Sequence, residues 1–169
     1  MFKSPTDGQK LEMLKCDVIK IPAKNKLPMR LKQIYDALVD VIEEFKPDEF
    51  AIETAFYGKN VQSTLKLGHA RGVSILAAVN KQIPTTEYSP KEVKKSVSGH
   101  GSASKEQVRF MVCKTFKIKE LTGSNDVSDA IAVALCHHHK LLSGGNLKIT
   151  SAKWEDFVDK NRKRVRGQS

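Results

Sequence analysis

At 169 residues, 40% hydrophobic and 28% charged, the chain has the size and composition of one globular domain with its own core. Its three cysteines, Cys16, Cys113 and Cys136, are odd in number and far apart, which excludes a disulfide framework and a paired soft-metal site. The formal net charge of +10 implies a positive surface field that attracts polyanions, so nucleic acid is the leading partner.

The opening MFKSPTDGQK has no apolar signal core, and the longest apolar stretch, about residues 72–79, is too short for a bilayer. A reducing, cytoplasmic setting is expected. Residues 11–21, LEMLKCDVIKI, alternate imperfectly and predict a strand with Leu11, Met13 and Cys16 on one side. Asp7-Gly8 is a favoured hairpin pair, but upstream of it stand only six residues containing Pro5, a poor ladder partner because proline donates no backbone hydrogen bond. The amino-terminal end therefore reads as cut short.

Leu31, Ile34, Tyr35, Leu38, Val41, Ile42 and Phe45 form one apolar stripe at helical spacing, stopped by Pro47. Residues 49–53, EFAIE, predict a short buried strand that opens into a loop at Glu53. A second helix is expected over about residues 60–80, where Gly68, Ala70 and Gly72 would let another backbone approach. A strand at 85–88 between Pro84 and Pro90 follows, then a lysine-rich helix at 91–97 and the glycine loop SGHGS. Ser104 with Gln107 makes a capping box for a helix with Val108, Met111, Val112 and Phe116 as core candidates, and the last long helix begins near Asp126. Residues 1–143 are expected to form the domain, and 144–169 a polar tail ending in the basic run KNRKRVRGQS. Strands and helices in this order predict a layered α/β domain.

Three acids fall at element ends. Asp126 and Asp129, at i and i+3, project to nearly the same side of the last helix, and Glu53 closes an apolar strand. Oxygen ligands so placed suit Mg²⁺, with Mn²⁺ as a substitute. Acids in a helix's first turn also cap free N–H groups, so the pair by itself fits either role. Beyond Glu53, Phe56 and Tyr57 stand beside Lys59 and Asn60, a combination able to stack on a base and hold a phosphate. Adjacent histidines on a helix point in different directions, so His137, His138 and His139 are read as part of a helix end, and His69 and His100 are left unassigned.

AIETAFYGKN followed by KLGHARGV, then YSPKEVKKSVSGHGSASKEQV, then NDVSDAIAVALCHHH, resembles the RuvC family of Holliday junction resolvases, in the same order from about residue 10 to 139. The resemblance implies a ribonuclease H-like mixed sheet flanked by helices, and a homodimer that places two symmetric nicks in four-way junction DNA by metal-assisted hydrolysis. It implies Glu53, Asp126 and Asp129 as metal-holding catalytic acids and Phe56 as the aromatic at the opened junction centre, with Tyr57 as its neighbour. Lys94 and Lys105 would face phosphates, and the branch-migration proteins RuvA and RuvB would be partners.

The resemblance departs at the amino terminus. The family's first strand carries a glycine-isoleucine-aspartate-proline-glycine-like motif whose aspartate is a further ligand, and no such motif is present here. Neither Asp7, explained by its turn, nor Asp17, which lacks the glycine and proline context, takes that role. A ribonuclease H-like sheet lacking its first strand, open along an apolar edge, is expected, with weak metal binding and weak or absent cleavage. The alternative is a non-cleaving protein that binds branched DNA.

Overall fold

A computed structural model describes residues 1–3, 11–22, 24–54, 60–118 and 125–143. In chain order the elements are β1 (Phe2–Lys3), β2 (Glu12–Met13), α1 (Leu27–Phe45), β3 (Phe50–Glu53), α2 (Val61–Asn80), β4 (Thr85–Tyr88), α3 (Pro90–Ser98), α4 (Lys105–Phe116) and α5 (Asn125–Leu142). The basic tail, 144–169, lies outside the described residues.

β3 and β4 pair in parallel, with Phe50 opposite Thr85 and Glu53 opposite Tyr88. Because side chains alternate across a strand, this ladder has two differently occupied faces. Phe50 packs with Ile42, Ala77, Ala78 and Ile83, which tie α1 and α2 to one side. Ala51 and Tyr88 pack with Val93, Val97, Val112, Ile131 and Leu135, which bring α3, α4 and α5 to the other. The result is a helix–sheet–helix sandwich with its larger core on the α5 side.

The local signals explain the boundaries. Pro28 stands in the first turn of α1, where its missing N–H costs nothing. At the other end Lys46 turns left-handed (φ 46°), its N–H closes on the Ile42 carbonyl, and Pro47 disfavours further helix. The capping box Ser104–Gln107 is present as expected, and a second one, Ser89–Glu92, opens α3. At Ser89 both the N–H and the hydroxyl reach Glu92 Oε2, at 2.8 and 2.7 Å. Ser89→Ala is therefore expected to lower the unfolding free energy by about 1 kcal/mol, and Ser89→Asp to retain most of it, as read from urea denaturation.

Two expectations are corrected. The predicted strand over residues 11–21 contracts to Glu12–Met13: beyond it Val18 and Ile19 are exposed among Lys15, Asp17 and Lys20, and Cys16 is exposed too, so no continuous apolar face exists to hold a longer ladder. The segment ahead of Pro5 does pair: Phe2 lies opposite Met13 and Lys3 opposite Glu12, antiparallel. Phe2 earns its place by packing on Phe116, ring centroids 4.9 Å apart. A Cβ at Gly68 or Gly72 would meet nothing within 4 Å, so among the described residues no backbone approaches α2 there and the space beside both glycines is open. Among the described residues the strands form two separate two-stranded ladders, β1–β2 and β3–β4, and no helix is long and apolar enough to cross a membrane.

Candidate metal and DNA site

Glu53 is the last residue of β3, on the same face as Ala51 and hence on the α5 side of the ladder. Backbone bonds hold the strand end: Thr54 N–H donates to the Tyr88 carbonyl at 2.8 Å, and its hydroxyl reaches the same oxygen at 3.3 Å. Asp129 comes from the first turns of α5, between the buried Ser128 and the buried Ile131 that anchor the helix. These two acids meet electrostatically. Burial raises the Glu53 carboxyl pKa above its ordinary value, the negative charge of Asp129 raises it further, and the ammonium groups of Lys105 and Lys94 pull it partly back.

Two carboxylates and two lysines thus converge where β3, α3, α4 and α5 meet. Lys105 Nζ lies 3.6 Å from Asp129 Oδ2, a partly exposed ion pair. Lys94, on α3, and Lys105, at the start of α4, were expected to face DNA phosphates; the fold brings both to the neighbourhood of Glu53.

Asp126 lies one turn before Asp129 and is exposed. Among the described residues no group of three or more histidines, cysteines, aspartates or glutamates stands close enough to hold a metal ion. The pair Glu53–Asp129 still fits a hard divalent cation, because Mg²⁺ is commonly held by one or two carboxylates plus water and phosphate oxygens. Burial first and the charge of Asp129 second raise the Glu53 pKa, and a divalent cation held there would oppose both, adding to what Lys105 and Lys94 already supply.

Phe56, Tyr57 and Lys59 lie outside the described residues. Asn60 is exposed and caps α2, its side-chain oxygen accepting from Ser63 N–H at 3.1 Å. His69 and His100 are exposed. The histidine run divides: His139 is exposed and its Nδ1 lies 3.0 Å from the Ser96 hydroxyl, whereas His137 and His138 are buried. His137 is the polar residue that sequence reading missed, since its partners, Tyr88 and Glu49, lie far away along the chain.

Fold and site together define an α/β protein with a paired-carboxylate, lysine-flanked centre at the end of a strand. The family model for crossover junction endodeoxyribonuclease RuvC matches residues 4–137. The chain is 46% identical to the crossover junction endodeoxyribonuclease RuvC of Salinibacter ruber, over 95% of this chain and 88% of that one. It is 41% identical to that of Cytophaga hutchinsonii, over 94% and 78% of the two chains. Its structure is similar to Thermus thermophilus RuvC, with a TM-score of 0.76 at 29% identity over 85% of this chain and 87% of that one. A second structure of that protein, in complex with Holliday junction substrate, matches with a TM-score of 0.77, at 29% identity and over 85% and 88% of the chains. The chain belongs to the RuvC family, and its fold is the ribonuclease H-like one that the motif order implied.

Proposed function

We propose that this chain is a structure-selective endonuclease that resolves four-way DNA junctions by metal-dependent phosphodiester hydrolysis. The observation that carries the reading is the convergence of Glu53 with Asp129, flanked by Lys94 and Lys105, in a member of the RuvC family. The non-cleaving alternative rests on the missing first-strand aspartate motif alone, whereas the matching family and both relatives named above are endonucleases.

In this reading Glu53 and Asp129, with Asp126 joining them from the preceding turn, hold Mg²⁺, for which Mn²⁺ can substitute. A divalent cation held by these carboxylates would supply an activated water and charge stabilisation for the leaving oxygen. The protein's own part is positional. The strand end and the helix start fix the carboxylates, while Lys94 and Lys105 draw the sugar-phosphate chain across them. Phe56, with Tyr57 beside it, stacks on a base at the opened junction centre, and Lys59 and Asn60 hold neighbouring phosphates.

Two symmetric nicks require two copies of the site, so we propose a homodimer. Val61, Leu65, Leu76 and Val79 are exposed and share one face of α2 with Gly68 and Gly72, which supports an interface there. RuvA and RuvB are the partners that family membership implies, and the bacterial cytoplasm the setting.

The test is a labelled synthetic four-way junction incubated with the chain over a series of Mg²⁺ concentrations, beside a linear duplex of the same sequence. Paired nicks in the junction arms alone support the reading; indifference between the substrates, or no nicks at any Mg²⁺ or Mn²⁺ concentration, rejects it. Binding should also be salt-dependent, and Lys94→Ala should reduce the slope of log affinity against log salt by about one, as one phosphate contact is lost. An unchanged slope would remove Lys94 from the DNA surface.

A further inference from the structure

His137 lies on α5 two helical turns beyond Asp129 and is 8% exposed. Its ring is held from both sides. The Tyr88 hydroxyl lies 2.8 Å from Nδ1, and Glu49 Oε2 lies 2.8 Å from Nε2, at contact distance though not in hydrogen-bond alignment. Tyr88 is fully buried, and burial pushes its phenol pKa up to about 12, so it keeps its proton near neutrality and can donate to Nδ1. The histidine proton then sits on Nε2 and faces the carboxylate. Lys140, one turn further on, lies over the Tyr88 ring at 4.5 Å and pairs with Glu92 at 3.3 Å.

The three residues occupy telling places. Glu49 stands four residues before Glu53, on the same face of the β3 segment, and His137 stands eight residues after Asp129 on α5. Four residues of strand span about 13 Å and eight of helix about 12 Å. β3 and α5 therefore lie antiparallel with two matched rungs: Glu49 against His137 at one end, Glu53 against Asp129 at the other. Tyr88 adds β4, whose register puts it directly opposite Glu53.

Val127, Ile131 and Leu135 pack α5 onto the sheet. Apolar contacts are non-directional, so a polar contact adds a constraint on register that they lack. A buried imidazole supplies that constraint, because a one-turn slip would take Nδ1 away from the Tyr88 hydroxyl and Nε2 away from its contact with Glu49.

We propose that Glu49, His137 and Tyr88 are positioning residues for the carboxylate pair: the Tyr88–His137–Glu49 chain sets the register of α5 on β3 and so the approach of Asp129 to Glu53. The proposal rests on the metal-holding role of that pair. It assigns to part of the histidine run a task other than ligation.

The test measures Mn²⁺ binding by loss of the free-ion electron paramagnetic resonance signal, together with junction affinity and thermal unfolding, in Glu49→Leu, Glu49→Gln and Tyr88→Phe. Glu49→Leu removes the polar contact and should weaken Mn²⁺ binding about tenfold or more, with junction affinity in metal-free buffer unchanged. Glu49→Gln keeps a group that can accept from Nε2 and should recover most of the loss. Tyr88→Phe, which removes only the hydroxyl, should weaken Mn²⁺ binding in the same direction while the protein remains folded.

Wild-type Mn²⁺ affinity in Glu49→Leu and in Tyr88→Phe, with only the unfolding temperature lowered, would overturn the proposal in favour of a structural role. A Glu49→Gln variant as weak as Glu49→Leu would overturn it too, because charge rather than position would then be the cause. If the wild-type chain itself binds no Mn²⁺, the metal reading of Glu53 and Asp129 fails and the positioning role falls with it.

Discussion

Glu53→Gln is expected to reduce junction nicking by roughly 10³-fold, to background, while junction binding persists, because several kcal/mol of metal-derived transition-state stabilisation would be lost with one carboxylate. The same change is expected to stabilise the fold near neutral pH. In the unfolded chain the Glu53 carboxyl ionises near its ordinary value of 4.5; in the folded protein burial and Asp129 hold the proton to higher pH. Between those two points the folded state binds more protons than the unfolded one, so stability falls as pH rises. Above the folded pKa the whole penalty is present. Glutamine carries none of it, so the variant's melting temperature should exceed that of the wild type at pH 7 and converge with it below about pH 4.5. A variant no more stable at pH 7, yet unable to cleave, would show that burial and Asp129 do not raise the Glu53 pKa in the folded protein.

The largest effect on stability is expected at Leu135. It is 1% exposed at the centre of the α5-side core, among Tyr88, Val112 and Ile131. Leu135→Ala removes three buried carbons and leaves a cavity in a region closed by three helices and the sheet. The expected loss is roughly 3 kcal/mol, and for a chain of this length a fall in melting temperature of about 6–12 °C. Leu142, near the other end of the same helix, is 68% exposed, so Leu142→Ala should change stability by less than about 0.5 kcal/mol. Equal effects at the two positions would mean that α5 does not pack through the face described here.

What the amino-acid sequence made legible follows from how local each signal is. β4 was readable to the residue because Pro84 and Pro90 bracket it, and α1 because one apolar stripe runs into Pro47. The strand over residues 11–21 was overread because Leu11 and Met13 do pack on the core, whereas Val18 and Ile19 follow them in pattern but lie exposed. Alternation describes a face; only a partner strand makes it a ladder. The Phe2–Lys3 pairing was missed because Pro5 was weighed against the whole segment, when only residues inside a ladder must donate.

The site divides in the same way. Element ends marked Glu53 and Asp129, and motif order supplied the reason to join them. The lysines were placed on a DNA-facing surface without any sign that Lys105 would pair with Asp129. Asp126 shares a helix side with Asp129 by spacing, yet no three-acid group forms among the described residues, because spacing fixes direction along a helix and not distance to another strand. His137 was read within a helix-end run, since nothing local announces Tyr88 and Glu49 as its neighbours.

Anomalous diffraction from crystals of this protein grown with Mn²⁺ and a four-way junction bears most directly on the paired-carboxylate centre. A manganese peak bridging the side chains of Glu53 and Asp129, within about 2.0–2.3 Å of an oxygen of each and facing a junction phosphate, is the expected result. Manganese held elsewhere, or Glu53 turned away from the start of α5 with the phosphate out of reach, would contradict it.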